Sequence, residues 1–476
     1  MHIALRFFYC FKICYFQIMN ITKTVETIFR RYLPSPFTIA ILLTLLTILL
    51  AFFFTESSNN ENHLLSILSF WELGIWNNDL LVFAYQMMLI LVLGHVLVLS
   101  KPANRLIVKL SKNVTSTVSA VILVSVTTML AAFLNWGLGL IFGAILARKV
   151  GEHAQQNNIP LNYPLVGAAG YVGLMVWHGG ISGSAPIKVA ESNHILNFME
   201  GVSSSSMLNQ IPESISFNQT IFSWWNLVLF GILLLVIPFV LKQIAKSTQP
   251  TNFNLKTYDF EKHSLDDIEG AEKLDYSKIL GVGFGIVLLG AFFYQYWNDL
   301  LSLKITPNML NFFMLGLAIV LHKSFKNFLN ALEEAIKGTS GILIQFPLYF
   351  GIMGIMKSTG MVVMISDFFV SVATETTLPI FTFFSAGLVN IFVPSGGGQW
   401  AIQGPIVVES ALKLGVPLPK AIMALAYGDQ ITNMLQPFWA LPLLGITKLK
   451  AREILPYTLI LMLVGIVVYV LGLLIF

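Results

Sequence analysis

Two stretches of this sequence place polar chemistry inside apolar surroundings. The first reads Trp177-His178-Gly179-Gly180-Ile181-Ser182-Gly183-Ser184-Ala185-Pro186. The second reads Tyr427-Gly428-Asp429-Gln430-Ile431-Thr432-Asn433-Met434-Leu435-Gln436-Pro437. Glycines, serines and prolines at this density break a helix. A break frees backbone N–H groups, which suit anions, and carbonyls, which suit cations. Asp429 is the acidic residue of these two stretches, and a carboxylate at membrane depth is costly and by default functional. It admits three roles: a cation ligand with Thr432 and Asn433, a titrating proton carrier, or a helix cap beside Gly428. His178 holds the matching place in the first stretch. It suits proton transfer, a hydrogen bond to a carboxylate, or a purely structural place.

Two further stretches read as tips of helical hairpins. They are Leu134-Asn135-Trp136-Gly137-Leu138-Gly139 and Asn390-Ile391-Phe392-Val393-Pro394-Ser395-Gly396-Gly397-Gly398-Gln399. Three successive glycines let neighbouring N–H groups converge into an anion-binding concavity. Alone they would mark a flexible turn; opposite a polar helix break they point to a carboxylate site. The candidate substrate-binding set is Asn135, Trp136, Gly137, His178, Gly179, Gly180, Ser182, Ser184, Asn390, Pro394, Ser395, Gly396, Gly397, Gly398 and Gln399. The candidate coupling-ion set is Asp429, Thr432 and Asn433. Trp136, Trp177, Trp400 and Trp439 flank tips and breaks, as site walls or as packing. Gln86, Gln345, Gln399 and Gln436 suit polar contacts between helices. Lys188 suits either attraction of an anion or snorkelling to the outer interface. No zinc-protease, nucleophile-elbow or phosphate-loop motif is present, so no catalytic residue and no enzyme activity is expected. No metal or organic cofactor is expected either, beyond Na+ or H+ as a coupling ion.

The elements that position these residues follow from composition. The chain has 476 residues, of which 56% are hydrophobic and 11% charged, with mean hydropathy +0.75. An ordinary soluble domain carries roughly a quarter charged residues, so this one is expected to lie in a lipid bilayer. A net charge of +4 does not point to nucleic acid. Long continuous apolar runs predict an all-α polytopic membrane protein rather than an outer-membrane barrel. The runs are 37–54, 80–99, 162–190, 222–242, 279–297, 306–322, 339–356, 417–446 and 454–474. Segments 116–147 and 378–412 are expected to enter and leave on one side. The first returns to Arg148-Lys149 after about 32 residues, too few for two crossings. Two short tilted spans are the alternative. The fold expected is about nine full spans plus two re-entrant hairpins.

Lys23, Arg30 and Arg31 precede the first span, loop 55–79 has no basic residue, and Lys101, Arg105, Lys109 and Lys112 follow the second. This bias puts the N-terminus in the cytoplasm. Lys413 and Lys420 then fall outside, mildly against the rule. Glutamine, hairpin asparagine and broken span recur at an offset of about 250–260 residues, and an odd number of intervening crossings makes the repeats inverted. The expected organisation is a cytoplasmic segment 1–36, a first half 37–242, a cytoplasmic linker 243–277 and a second half 278–476. Both cysteines, Cys10 and Cys14, precede residue 15, so no disulfide framework exists in the body. Met19 opens a more natural start, and residues 1–18 read as a start-site artefact.

At its tips and breaks the sequence resembles the bacterial short-chain fatty acid transporter family, within the larger ion transporter superfamily. The likeness runs from about Arg30 to the C-terminus. It implies uptake of a short-chain monocarboxylate such as butyrate or acetoacetate across the inner membrane. It also implies a homodimer with an elevator-like moving subdomain and Na+ or H+ coupling. Superfamily relatives place Asn and Ser/Thr at hairpin tips. Asn135, Asn390 and Ser395 match, whereas Trp136 stands where a Ser or Thr would complete the first tip.

Overall fold

The computed structural model describes residues 34–56, 62–199, 209–256, 270–301, 306–336 and 339–476. The two cysteines and the start-site question lie outside these residues. All regular structure among the described residues is helical. Among these residues, six helices are long and apolar enough to cross a membrane: Phe37–Phe54, Leu80–Leu97, Thr117–Leu134, Trp224–Ser247, Lys278–Leu301 and Ala451–Ile475. The molecule is therefore a multi-pass membrane protein.

The first group of helices comprises α1 (Pro36–Phe54), α2 (His63–Ile75), α3 (Asn78–Leu99) and α4 (Lys101–Ser111). The second comprises α5 (Thr117–Leu134), α6 (Trp136–Gln156), α7 (Tyr163–Ala169), α8 (Ser184–Ala190), α9 (His194–Met199) and α10 (Trp224–Ser247). The later half holds α11 (Lys278–Leu301), α12 (Pro307–His322), α13 (Phe325–Ile336), α14 (Ser340–Ser358) and α15 (Met361–Ser371). It ends with α16 (Leu378–Phe392), α17 (Gly396–Leu414), α18 (Leu418–Thr432), α19 (Pro437–Thr447) and α20 (Ala451–Ile475). Contacts divide these into two bodies. Helices α1–α4 pack with α11–α14, and α5–α10 pack with α16–α20. The bodies meet mainly where α3 and α4 touch α6 and where α14 touches α19.

Four features differ from the sequence expectation. Loop 55–79 contains α2, which packs tightly on α14 because Gly74 faces Gly351 and Gly354. Loop 100–115 contains α4, an amphipathic helix whose polar residues hid its apolar face. The first hairpin is longer than 116–147. Its return limb continues to Gln156, because Arg148 and Lys149 both pair with the buried Glu152 along the helix. Its limbs have 18 and 21 residues, roughly 27 and 31 Å at 1.5 Å per residue. Shortness therefore does not argue for re-entrance there. The linker also begins later than residue 243, since α10 runs to Ser247. Its next stretch is docked on the second body: Gln155 exchanges hydrogen bonds with the Leu255 backbone, and Phe253 stacks on Tyr163 at 4.8 Å.

Candidate functional site at the hairpin tips and helix breaks

The first tip is a single residue. Asn135 ends α5, starts α6, and accepts from the Leu138 N–H through its side chain. The second tip is wider. α16 ends at Phe392, the Ser395 N–H donates to the Val393 carbonyl at 2.7 Å to close a tight turn around Pro394, and Ser395 caps α17 by accepting from the Gly398 N–H at 3.2 Å. Gln399 donates its N–H to the Ser395 carbonyl. The Gly396 and Gly397 amides have no acceptor among the described residues.

Each tip meets a break. At the first, the Ile181 N–H donates to the Phe133 carbonyl at 2.8 Å and the Trp136 N–H donates to Ser182 Oγ at 2.8 Å. At the second, Asn390 Nδ2 lies within 2.9 Å of the Asp429 carbonyl, Thr432 Oγ1 and Asn433 Oδ1. An amide nitrogen has two hydrogens, so three oxygens converge on a point that two N–H bonds cannot fully satisfy. Gln436 Nε2 donates to the Asn390 carbonyl at 2.8 Å.

The two breaks also meet each other. His178 Nδ1 lies 2.5 Å from Asp429 Oδ2, and both residues are fully buried. The Ala185 N–H donates to His178 Nε2 at 3.0 Å. That nitrogen is therefore an acceptor, and the ring proton sits on Nδ1, facing the carboxylate. Asp429 Oδ1, Asn390 Oδ1 and Trp177 Nε1 are buried without a hydrogen-bond partner among the described residues. The tip of α17 closes against this pair. A Cβ on Gly396 would sit 2.8 Å from His178 Cε1 and 2.8 Å from Trp177 Cη2. Gly397 faces Ser184, where an added Cβ would lie 3.9 Å from Oγ. Trp136 packs between Trp177 and Trp439, with ring centroids at 6.1 and 5.2 Å.

The structure thus brings together His178, Ser182, Ser184, Asn390, Gly396, Gly397, Asp429, Thr432 and Asn433 from the candidate sets. Gly180 packs against the Phe133 backbone and Gly179 against Asn226 and Tyr427, so both shape the first break. Gly137 lies against Ile90 of the other body, and Pro394 sits in the tight turn of the second tip. Gln399 is turned into its own hairpin, donating to the Ala386 carbonyl and Gln403. Lys188 points outward and pairs with Glu191.

Several residues outside those sets hold the breaks in place. Gln430 Oε1 accepts from the His178 and Gly179 amides at 2.8 and 3.1 Å. Its Nε2 donates to Tyr469 Oη, whose hydroxyl donates to the Met175 carbonyl. Asn226 donates to the Gly179 carbonyl and accepts from the Tyr427 hydroxyl. The Tyr171 hydroxyl reaches the Asn433 and Gln436 carbonyls at 2.9 and 3.0 Å. Unwound backbone in an apolar interior needs such partners. A lone Asn, Gln or Tyr in an apolar run was the available signal.

Among solved structures, the chain is similar to MtrF of Neisseria gonorrhoeae, described as one of a class of antimetabolite efflux pumps. Identity is 16% and TM-score 0.41, covering 94% of this chain and 96% of that one. It is also similar to the YdaH transporter of Alcanivorax borkumensis, with identity 14% and TM-score 0.42, covering 92% and 98%. In sequence it is 36% identical to a protein of Escherichia coli (strain K12) provisionally named a short-chain fatty acid transporter, over 97% of this chain and 100% of that one. A Haemophilus influenzae protein with the same provisional name is 34% identical, over 96% and 99%. The family model described as short chain fatty acid transporter matches residues 17–476. The chain belongs to the short-chain fatty acid transporter family, a family of membrane transporters and not of enzymes.

Proposed function

We propose that the protein takes up short-chain fatty acids such as butyrate or acetoacetate across the bacterial inner membrane, as a coupled secondary carrier. The observation that carries this reading is the N-terminus of α17. Its Gly396 and Gly397 amides lack acceptors, and a helix of 19 residues aligns its dipole behind them. A carboxylate is the group such amides bind. Ser184 is placed to add a hydroxyl, and the Trp136, Trp177 and Trp439 rings form an apolar wall suited to a short alkyl chain. Neither the tips nor the breaks contain a Lys or Arg, so a second carboxylate would have no cationic partner.

Coupling to Na+ or H+ is placed at Asp429, Thr432 and Asn433. Oxygen ligands suit a hard cation. The converging oxygens around Asn390 and the unpartnered Oδ1 atoms of Asp429 and Asn390 fit that use. The recurrence of hairpin, broken helix and tip-to-break bonding supports inverted repeats whose hairpins re-enter, since each tip stops at a break partway along another element. The two-body packing supports an elevator-like motion of α5–α10 with α16–α20 against a scaffold. The N-terminus is assigned to the cytoplasm and the assembly to a homodimer.

Proteoliposome uptake of radiolabelled butyrate tests this, with sodium and pH gradients imposed separately. Saturable uptake driven by one gradient is expected. Gly396→Ala should reduce it at least about tenfold, the equivalent of roughly 1.4 kcal/mol, because its Cβ would press on His178 and Trp177. Asp429→Asn should alter the response to the driving gradient. Unsaturable flux indifferent to both gradients would identify a channel instead.

A further inference from the structure

Away from the tips and breaks, the outer ends of α10, α18 and α20 enclose an open cleft of about 360 Å³. Ligand pockets start at about this size. Its walls include Ser223, Trp224 and Trp225 at the start of α10, Asn218 and Gln219 in the preceding turn, and Lys420 on α18. Trp224 is 65% exposed, and Leu227 and Val228, just below it on α10, are exposed as well. Gly472 of α20 lines the cleft floor, where the helix comes close to Leu229. Indoles at the end of an apolar helix mark the level of lipid headgroups.

Lys413 and Lys420 are among the basic residues that charge bias places on the outer side, against the rule. Lys413 is neutralised by Glu409 at 2.5 Å. Lys420 is half-buried in the cleft wall and has no ion-pair partner among the described residues. A cation held at headgroup level beside amide and indole groups, above an apolar groove, matches an anionic amphiphile.

We propose that this cleft binds the phosphate of an anionic phospholipid, with Lys420 as its counter-charge and the acyl chains lying along α10 and α20. The shared chemistry is a phosphate group, so a free phosphate ion is the competing source.

Native mass spectrometry of the full chain in detergent separates them, using phosphatidylglycerol, phosphatidylcholine and inorganic phosphate as probes. The expected result is one phosphatidylglycerol retained per chain in preference to phosphatidylcholine, and not displaced by inorganic phosphate. Lys420→Ala should lower retention about fivefold with an unchanged thermal unfolding midpoint, and Lys420→Arg should restore it. Equal retention by wild type and Lys420→Ala overturns the proposal, as does displacement by inorganic phosphate alone. The measurement needs no transported substrate, so it stands whatever the carrier moves.

Discussion

His178 shows how much a single side chain is asked to do at the residue scale. It touches the carboxylate of one break, an amide of its own break and the glycine tip of α17. Its match with Asp429 was readable from spacing, because the two stand at corresponding places in the two halves. The bond between them was not, since 251 positions separate them and only the fold closes that gap. Gln430 was passed over for a related reason: its neighbour Asp429 carries the charge, and an amide that holds two backbone N–H groups has no sequence signature. A second histidine gives a pH prediction. Trp400 donates its indole N–H to His194 Nε2 at 3.1 Å, tying α17 to the first residue of α9. Burial and Lys188 lower the His194 pKa, with Glu191 opposing, and Glu213 bonds the adjoining Ser192 and the Asn193 amide. Neutral His194 can accept that bond; the imidazolium cannot. The tie is therefore present above the ordinary value of about 6.5 and lost as pH falls through the lowered one. His194→Gln keeps an acceptor without titrating. Thermal unfolding should shift less on acidification from about pH 7 to about pH 4 in His194→Gln than in wild type.

At the scale of elements, two hairpins and two interrupted helices form the part of the molecule where polar groups are concentrated. Their existence was legible because glycine, proline and polar residues interrupt apolar runs at four places. Their limits were not, because Arg148 and Lys149 read as the end of a hydrophobic run, yet their pairing with Glu152 lets α6 continue. Helices α2 and α4 were missed because one is short and the other amphipathic. The second hairpin and broken helix pack closest where Gly428 of α18 meets α16. A Cβ there would collide with the Phe383 carbonyl and come within 2.9 Å of Ala386 Cβ. Gly428→Ala should destabilise the protein by about 1–3 kcal/mol, read as a lowered unfolding midpoint. It should also impair uptake, because Asp429 would move with the helix. An unchanged midpoint would mean that α16 and α18 are less closely packed than described.

For the whole molecule, the division into two bodies sets what transport requires. One boundary runs along α3 and α6, where Ile90 reaches to within 3.5 Å of where a Cβ of Gly137 would sit. Another lies at a small polar gap where His95 and Glu334 of one body face Arg148, Lys149 and Glu152 of the other. Membrane class was legible from hydropathy alone; the partition was not, because each body draws helices from both halves of the chain. If the bodies slide, a link across them stops uptake. The natural cysteines lie only at positions 10 and 14, so a cysteine pair can be introduced with little background once those two are replaced. Oxidising an Ile90→Cys/Gly137→Cys protein should abolish butyrate uptake, and reduction should restore it. Unimpeded uptake by the crosslinked protein would exclude movement along this boundary.

The two unpaired amides at the start of α17 also act as a clock. Backbone N–H groups locked in helices exchange their hydrogens with solvent slowly, whereas those of Gly396 and Gly397 have nothing to hold them. An anion seated on them supplies the missing acceptor. Added butyrate should slow deuterium uptake in the peptide spanning the second tip, while a neutral alcohol of the same length should leave it unchanged. Occupancy of the site can then be timed in the resting protein, before any solute has crossed.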